Sequence, residues 1–190
     1  MPFGRAKKQP EPLNEAGLYD YAVKSLGRAM RTEAELRRLM RARVEPGERG
    51  DAAMAAVVGR LKENGYLNDA AYAETFARLR QQNEKLGART VRQKLAQKGV
   101  ARATIEETVE ARYAGTNEEA LARQYLERKS MRKPENEKET ARVMRRLVAA
   151  GFSTGVIYKI LRQWDVPQET LAALDSFDNL DNHDEERGEE

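Results

Sequence analysis

An internal repeat of about fifty residues constrains this chain more than any other feature, because such a period marks a fold built from stacked copies of one small unit. Superimposing Leu39, Leu95 and Leu147 brings Val44, Val100 and Phe152 into line five residues later, and Arg38, Lys94 and Arg146 one residue earlier. The agreement continues downstream, where Val100 is followed by Ile105 and Val109, and Phe152 by Ile157 and Leu161. The first copy supplies Val57 and Leu61 if its loop is longer, and Ala22, Ala73 and Ala122 are equivalent upstream. Apolar residues three and four apart give each helix one stripe to bury, so each copy reads as three amphipathic helices. A unit of that size is marginal alone, and its neighbours should stack on it. The expected fold is all-α: three tandem three-helix repeats, helix-turn-helix-like, stacked into an elongated row that can curve. Repeat 1 covers 18–66, repeat 2 covers 67–115 and repeat 3 covers 116–166. A flexible N-terminal arm is expected over 1–17, and an acidic C-terminal tail over 167–190.

Start and stop signals place the helices within the copies. A first helix is expected over 19–30, and Thr32-Glu33-Ala34-Glu35 reads as a capping box opening the second, with Leu36, Leu39 and Met40 as its buried face. The third helix is expected over 51–64, ended by Gly65. In repeat 2, Asn68 is the N-cap with Asp69 in the first turn, and Tyr72, Phe76 and Leu79 form the apolar stripe. Thr116-Asn117-Glu118-Glu119 reads as a second capping box, Lys133-Pro134 as the end of the helix it opens, and Asn136 with Glu139 as the next cap. Ser153 or Thr154 begins the last helix, Pro167 stops it, and a helical turn is expected around 170–174. Gly99 and Gly151 suit left-handed helix ends, whereas the first copy has Arg43 in that place. A non-glycine residue there costs about 1 kcal/mol, so that helix should end differently, into the loop 45–50.

The inventory for catalysis is poor. The chain has no cysteine, which excludes disulfides, thiolate metal sites and cysteine nucleophiles and fits a reducing compartment. Its only histidine, His183, lies in the acidic tail. There is no glycine-rich phosphate loop, no Gly-x-Ser-x-Gly elbow and no carboxylate pair inside an apolar run. No enzyme activity, metal or cofactor is expected. The apolar runs are too short for a membrane span, so a cytoplasmic protein with no membrane partner is expected, and the chain is read separately as a monomer.

Charge is the informative feature. The net charge of +3 hides a segment, Asp175 to Glu190, with eight acids against Arg187, a net of −7 that leaves +10 on the remainder. So basic a body points to a polyanionic or acidic partner, with the tail as a possible competitor for the same face. Candidate contact residues lie on the three second helices: Arg37, Arg38 and Arg41; Arg92, Lys94 and Lys98; Arg142, Arg145 and Arg146. A solvated face accounts for any one of them, but less well for a position that is basic in all three copies. Contact of such residues with phosphates gives affinity without sequence preference, weakened steeply by salt. Tyr72, Phe76, Phe152, Tyr158 and Trp164 fit packing stripes, while Tyr21, Tyr66 and Tyr113 are available to stack on bases.

One ordered series also carries a family resemblance. Gly65-Tyr66-Leu67-Asn68-Asp69, then Tyr72-Ala73, Phe76 and Arg80, then Gly87, Val91, Leu95 and Lys98-Gly99-Val100, resembles the central signature of the bacterial RecX regulatory proteins. In weaker form the likeness runs from about Leu18 to Trp164. It implies a protein that lies in the groove of a RecA recombinase filament on single-stranded DNA and inhibits ATP turnover, strand exchange and filament growth. A role in recombination, DNA repair and the SOS response is implied with it. The basic positions carry over as a charged pattern. The alternative from the residues themselves is a free-standing helix-turn-helix-like DNA-binding protein that does not act through RecA.

Overall fold

The computed structural model describes residues 11–167. The acidic segment, His183, the turn expected around 170–174 and the first ten residues of the arm lie outside them. Among the described residues there are nine α-helices and no strand: α1 (Glu15–Arg28), α2 (Glu33–Arg41), α3 (Glu48–Glu63), α4 (Asp69–Glu84), α5 (Ala88–Gln97), α6 (Arg102–Tyr113), α7 (Glu118–Arg128), α8 (Glu137–Ala150) and α9 (Thr154–Gln163).

Several starts follow the expected local chemistry. Thr32 and Glu35 form the capping box of α2, Asn68 Oδ1 accepts from Ala71 N at 3.0 Å, and Asn136 Oδ1 accepts from Glu139 N at 3.0 Å. Two differ. α1 begins at Glu15, because Asn14 caps it by accepting from Gly17 N at 2.9 Å, which takes 15–17 out of the expected arm. α7 is capped by Asn117 and not Thr116, whose hydroxyl accepts instead from Gln81 Nε2 at 3.1 Å.

The ends show how the first copy departs from the others. α5 closes with Gly99 at φ +77° and Val100 N donating to Leu95 O at 3.2 Å; α8 closes with Gly151 at φ +91° and Phe152 N donating to Leu147 O at 3.2 Å. α2 has no left-handed residue: Ala42 ends it at φ −78°, Arg43 N donates to Met40 O at 2.8 Å, and the positive φ comes later, at Gly47. Its exit is one residue shorter. Met40 and Leu36 are therefore the fully buried pair matching Leu95 with Val91 and Leu147 with Val143, while Leu39 is only half-buried. The expected superposition on Leu39 is out by one residue. α7 also ends before Pro134, in a left-handed turn at Ser130 with Met131 N donating to Leu126 O at 2.9 Å.

The other repeated positions behave alike. Ala22, Ala73 and Ala122 are fully buried, and the pairs Val57 with Leu61, Ile105 with Val109 and Ile157 with Leu161 form the inner faces of α3, α6 and α9. On α4 the buried stripe is Ala73, Ala77 and Gln81, small residues and one polar residue four apart, in place of the expected Tyr72, Phe76 and Leu79. Tyr72 and Phe76 are half-buried and stacked at 6.0 Å, and Leu79 is 42% exposed.

The chain divides into two compact units, one of residues up to 76 with 94–108, the other of 77–93 with the residues from 109 on. The division cuts α4, α5 and α6, so it runs through repeat 2 and not along its borders. The first unit is centred on Leu18, Leu36, Met40, Met54, Val57 and Leu61. In the second, α7 and α8 both pack on α9, with Tyr125 edge-on to Phe152 at 5.9 Å.

Each unit contains one joint in which the first turn of a second helix meets the end of another. In the first unit Thr32 Oγ1 accepts from Glu35 N at 3.1 Å and donates to Lys98 O at 2.6 Å, while Lys98 Nζ donates to Glu35 Oε1 at 2.6 Å. A Cβ on Gly99 would stand 2.3 Å from Ala34 Cβ. In the second unit Thr90 Oγ1 donates to Ala149 O at 2.9 Å and Gly87 N to Ala150 O at 2.8 Å. There a Cβ on Gly151 would meet Thr90 N at 2.4 Å, and one on Gly87 would meet Gly151 O at 2.2 Å.

Candidate functional site

On α2 most of the basic charge is already engaged. Arg37 Nε donates to Glu33 Oε1 at 2.7 Å, Lys62 Nζ donates to the other oxygen of that carboxylate at 2.5 Å, and Arg41 pairs with Asp51. Partial burial pushes the Glu33 carboxyl up, but the hydrogen bonds from Lys62 and Arg37 outweigh it and hold the group below its ordinary range. Arg38 alone of the three is exposed without an ion pair among the described residues.

On α5 and just past its end the three candidates separate. Lys98 is a structural clamp, holding Glu35 by its ammonium and Thr32 by its backbone carbonyl. Burial raises the Glu35 pKa, yet the Lys98 bond and the Thr32 N–H bring it below the ordinary 4.5. Lys94 is half-buried with no ion pair among the described residues. Arg92 lines a cavity of about 680 Å³ in the second unit, beside Arg89, Tyr113 and the start of α9. An anion already sits at that helix start: the Glu118 carboxylate accepts from Ser153 N at 2.6 Å and from Ser153 Oγ at 2.9 Å. Tyr113 donates its hydroxyl to Leu86 O at 2.8 Å, and burial pushes its pKa up to about 12 against the opposing charges of Arg112 and Arg92. It is a neutral hydrogen-bond donor within the fold. Arg43 covers the ring of Tyr21 at 5.1 Å, which leaves Tyr66, 57% exposed, as the open member of the three tyrosines available to stack.

α8 is different. Arg142, Arg145 and Arg146 are all exposed, none has an ion-pair partner among the described residues, and their spacing of three and four places them on one face. Arg142 and Arg146 also line a cavity of about 410 Å³, together with Lys129, Arg132 and Lys133 from the segment between α7 and α8. Those last three were not singled out from the sequence. The signal was present as the run Lys129 and Arg132-Lys133, but it lies between helices, where helical periodicity says nothing about direction.

The one-residue slip of α2 changes the repeat of charge as well. The residue before the buried Leu95 and Leu147 is basic, Lys94 and Arg146, but the residue before Met40 is Leu39. That basic position therefore recurs in two copies, and Arg38 falls instead in line with Gln93 and with the exposed Arg145. Among the described residues no cluster of acidic or histidine side chains could hold a metal ion, and no helix is long and apolar enough to cross a membrane.

Comparison with known proteins bears on this arrangement. The family profile described as RecX, second three-helix domain, matches residues 68–109. The regulatory protein RecX of Thermobifida fusca is 32% identical over 143 residues, covering 74% of this chain and 75% of that protein. That of Thermus thermophilus is 35% identical over 150 residues, covering 78% and 91%. Among solved structures, RecX from Lactobacillus salivarius matches with a TM-score of 0.61 at 20% identity, over 80% of this chain and 96% of that one. A second, a regulatory protein RecX, matches with a TM-score of 0.65 at 21% identity, over 78% and 73%. These two likenesses show the fold, all-α and built of helical repeats.

Proposed function

From the premise that the chain belongs to the RecX family of regulatory proteins, we propose that it binds the RecA recombinase on single-stranded DNA and restrains the filament. The observation that carries this reading is the unpaired arginine face of α8, Arg142, Arg145 and Arg146, in a chain whose other second helices have much of their charge engaged. A filament is a repeating lattice, and a protein built of repeated modules can contact successive protomers so that weak contacts sum to high avidity. Inhibition of ATP turnover, strand exchange and filament growth follows sterically, with no chemistry required of the regulator. The protein acts as a cytoplasmic monomer whose three-helix repeats are the contacting modules, and its affinity for bare single-stranded DNA is weak and salt-sensitive. Through RecA it modulates recombination, DNA repair and the SOS response.

The test is the rate of ATP hydrolysis by RecA on single-stranded DNA as the protein is added well below one molecule per protomer. Hydrolysis is expected to fall, and the triple variant Arg142→Ala, Arg145→Ala, Arg146→Ala should need roughly tenfold more protein, the scale set by losing a few charge contacts. If the triple variant inhibits as well as the parent, α8 is not the contact. If the parent leaves hydrolysis untouched but binds DNA, a free-standing DNA binder becomes the better account. Against that alternative, among the described residues no set of Asn, Gln and Arg suited to reading bases stands together at the start of one helix.

A further inference from the structure

The cavity between α7 and α8 is a strongly basic hollow in the second unit. Lys129, Arg132, Lys133, Arg142 and Arg146 face it, against Glu135 and Glu139. Glu139 is partly engaged, since its Oε2 accepts from Glu135 N at 3.0 Å at the start of α8. Lys133, Pro134 and Glu135 also line an adjoining hollow whose other wall is Trp164, Asp165, Val166 and Pro167. Across it Lys133 Nζ donates to Asp165 Oδ2 at 3.1 Å. The chain thus leaves the described residues at Pro167, beside the basic cavity and with one carboxylate already on its rim.

The sequence beyond Pro167 has the opposite charge. From Asp175 to Glu190 there are eight acidic residues and one arginine, a net of −7. Eight residues from 168 to 175, fully extended, span up to about 29 Å. The acids are therefore within reach of a cavity that adjoins their point of departure. A short tether also holds them near it at an effective concentration on the order of millimolar, enough to fill a site too weak to hold the same peptide free in solution.

We propose that the acidic segment Asp175–Glu190 docks in the basic cavity formed by Lys129, Arg132, Lys133, Arg142 and Arg146, and so competes with any external anion for the charged end of the α8 face. Carboxylates there accept charge-assisted hydrogen bonds from guanidinium and ammonium groups. The contact is electrostatic and partly exposed, so salt releases it, as does a partner with a denser array of negative charge. Its effect on filament binding rests on the proposed function above; the docking itself does not.

The test uses the full chain alone, without RecA or DNA. A carbodiimide couples a lysine amine to a carboxylate with which it is in contact, and peptide mass spectrometry locates the amide. At low salt, links from the 175–190 carboxylates to Lys129 and Lys133 should exceed those to Lys24, Lys62 and Lys85. They should fall about fivefold or more in about 0.5 M NaCl, where screening acts within a few ångströms. The variant Arg132→Glu, Arg142→Glu should lose them to a similar extent, with helicity by circular dichroism unchanged, and links within one chain should not depend on protein concentration. Links spread evenly over all lysines, links that persist in the charge-reversed variant, or links found only between chains would each overturn the proposal.

Discussion

The two joints solve the same packing problem with different materials. In the first unit, α2 meets the end of α5 through side chains: the Thr32 hydroxyl, the Lys98 ammonium on Glu35, and Ala34 against Gly99. In the second, α5 meets the end of α8 mainly through backbone: Gly87 N on Ala150 O, Gly151 against Thr90 N, and one hydroxyl from Thr90. A joint made of side chains can be altered on either side and repaired on the other. Contact between backbones has no such freedom, because the atom in the way belongs to every possible sequence.

The largest expected effect comes from the backbone joint. Gly151→Ala places a Cβ 2.4 Å from a backbone nitrogen at φ +91°, so both conformation and contact are violated. A loss of about 3 kcal/mol is expected, read as a drop of roughly 10 °C in Tm, and no change at Thr90 should recover it. Gly99→Ala should cost less, about 2 kcal/mol, because the obstruction is the Ala34 side chain. The double variant Gly99→Ala, Ala34→Gly should recover the clash and retain about 1 kcal/mol of left-handed strain. Recovery at residue 151, or none at residue 99, would break the distinction between the joints.

Next come the hydroxyls. Thr32→Val removes both a cap acceptor and a donor to Lys98 O, and should cost about 2 kcal/mol in denaturant unfolding. Thr90→Val removes one donor and should cost about 1 kcal/mol. The smallest effect is Lys98→Gln, at most about 1 kcal/mol because the ammonium is substantially exposed. It carries a pH signature. The Glu35 carboxyl lies below its ordinary 4.5 in the fold, so its contribution is present above that value and is lost as pH falls through the folded one. Parent and Lys98→Gln should therefore differ in stability at neutral pH and converge in acid, and added salt should narrow the gap.

What could be read from the sequence was what is local. The boxes and caps at Thr32, Asn68 and Asn136, and the left-handed glycines, depend on a few neighbouring residues that fix their own geometry. The one-residue slip of α2 was not legible in the same way, because Leu39 and Met40 are both apolar and the shortened exit at Ala42 decides which is buried. On α4 large side chains suggested the stripe, but close helix packing selected Ala73 and Ala77. Ser130 and Asp165 take left-handed turns without glycine, so composition gave no warning that α7 stops before Pro134. Of the candidate site, the exposure of Arg142, Arg145 and Arg146 and the pairing of Arg37 with Glu33 four residues before it follow the helical pattern, whereas the ion pairs of Arg41 and Lys98 join residues ten and sixty-three positions apart and were invisible to it.

The joints also set an order of events in time. Their hydroxyl bonds close over separations of 66 and 59 residues, whereas each helix closes over four, so local structure should form first and the joints late. A late contact, when weakened, speeds unfolding and leaves folding nearly unchanged. The Gly87 amide, bonded to Ala150 O and to no residue of its own helix, then becomes a clock for that opening: its hydrogen exchange reports the parting of α5 and α8 while the helices themselves remain wound.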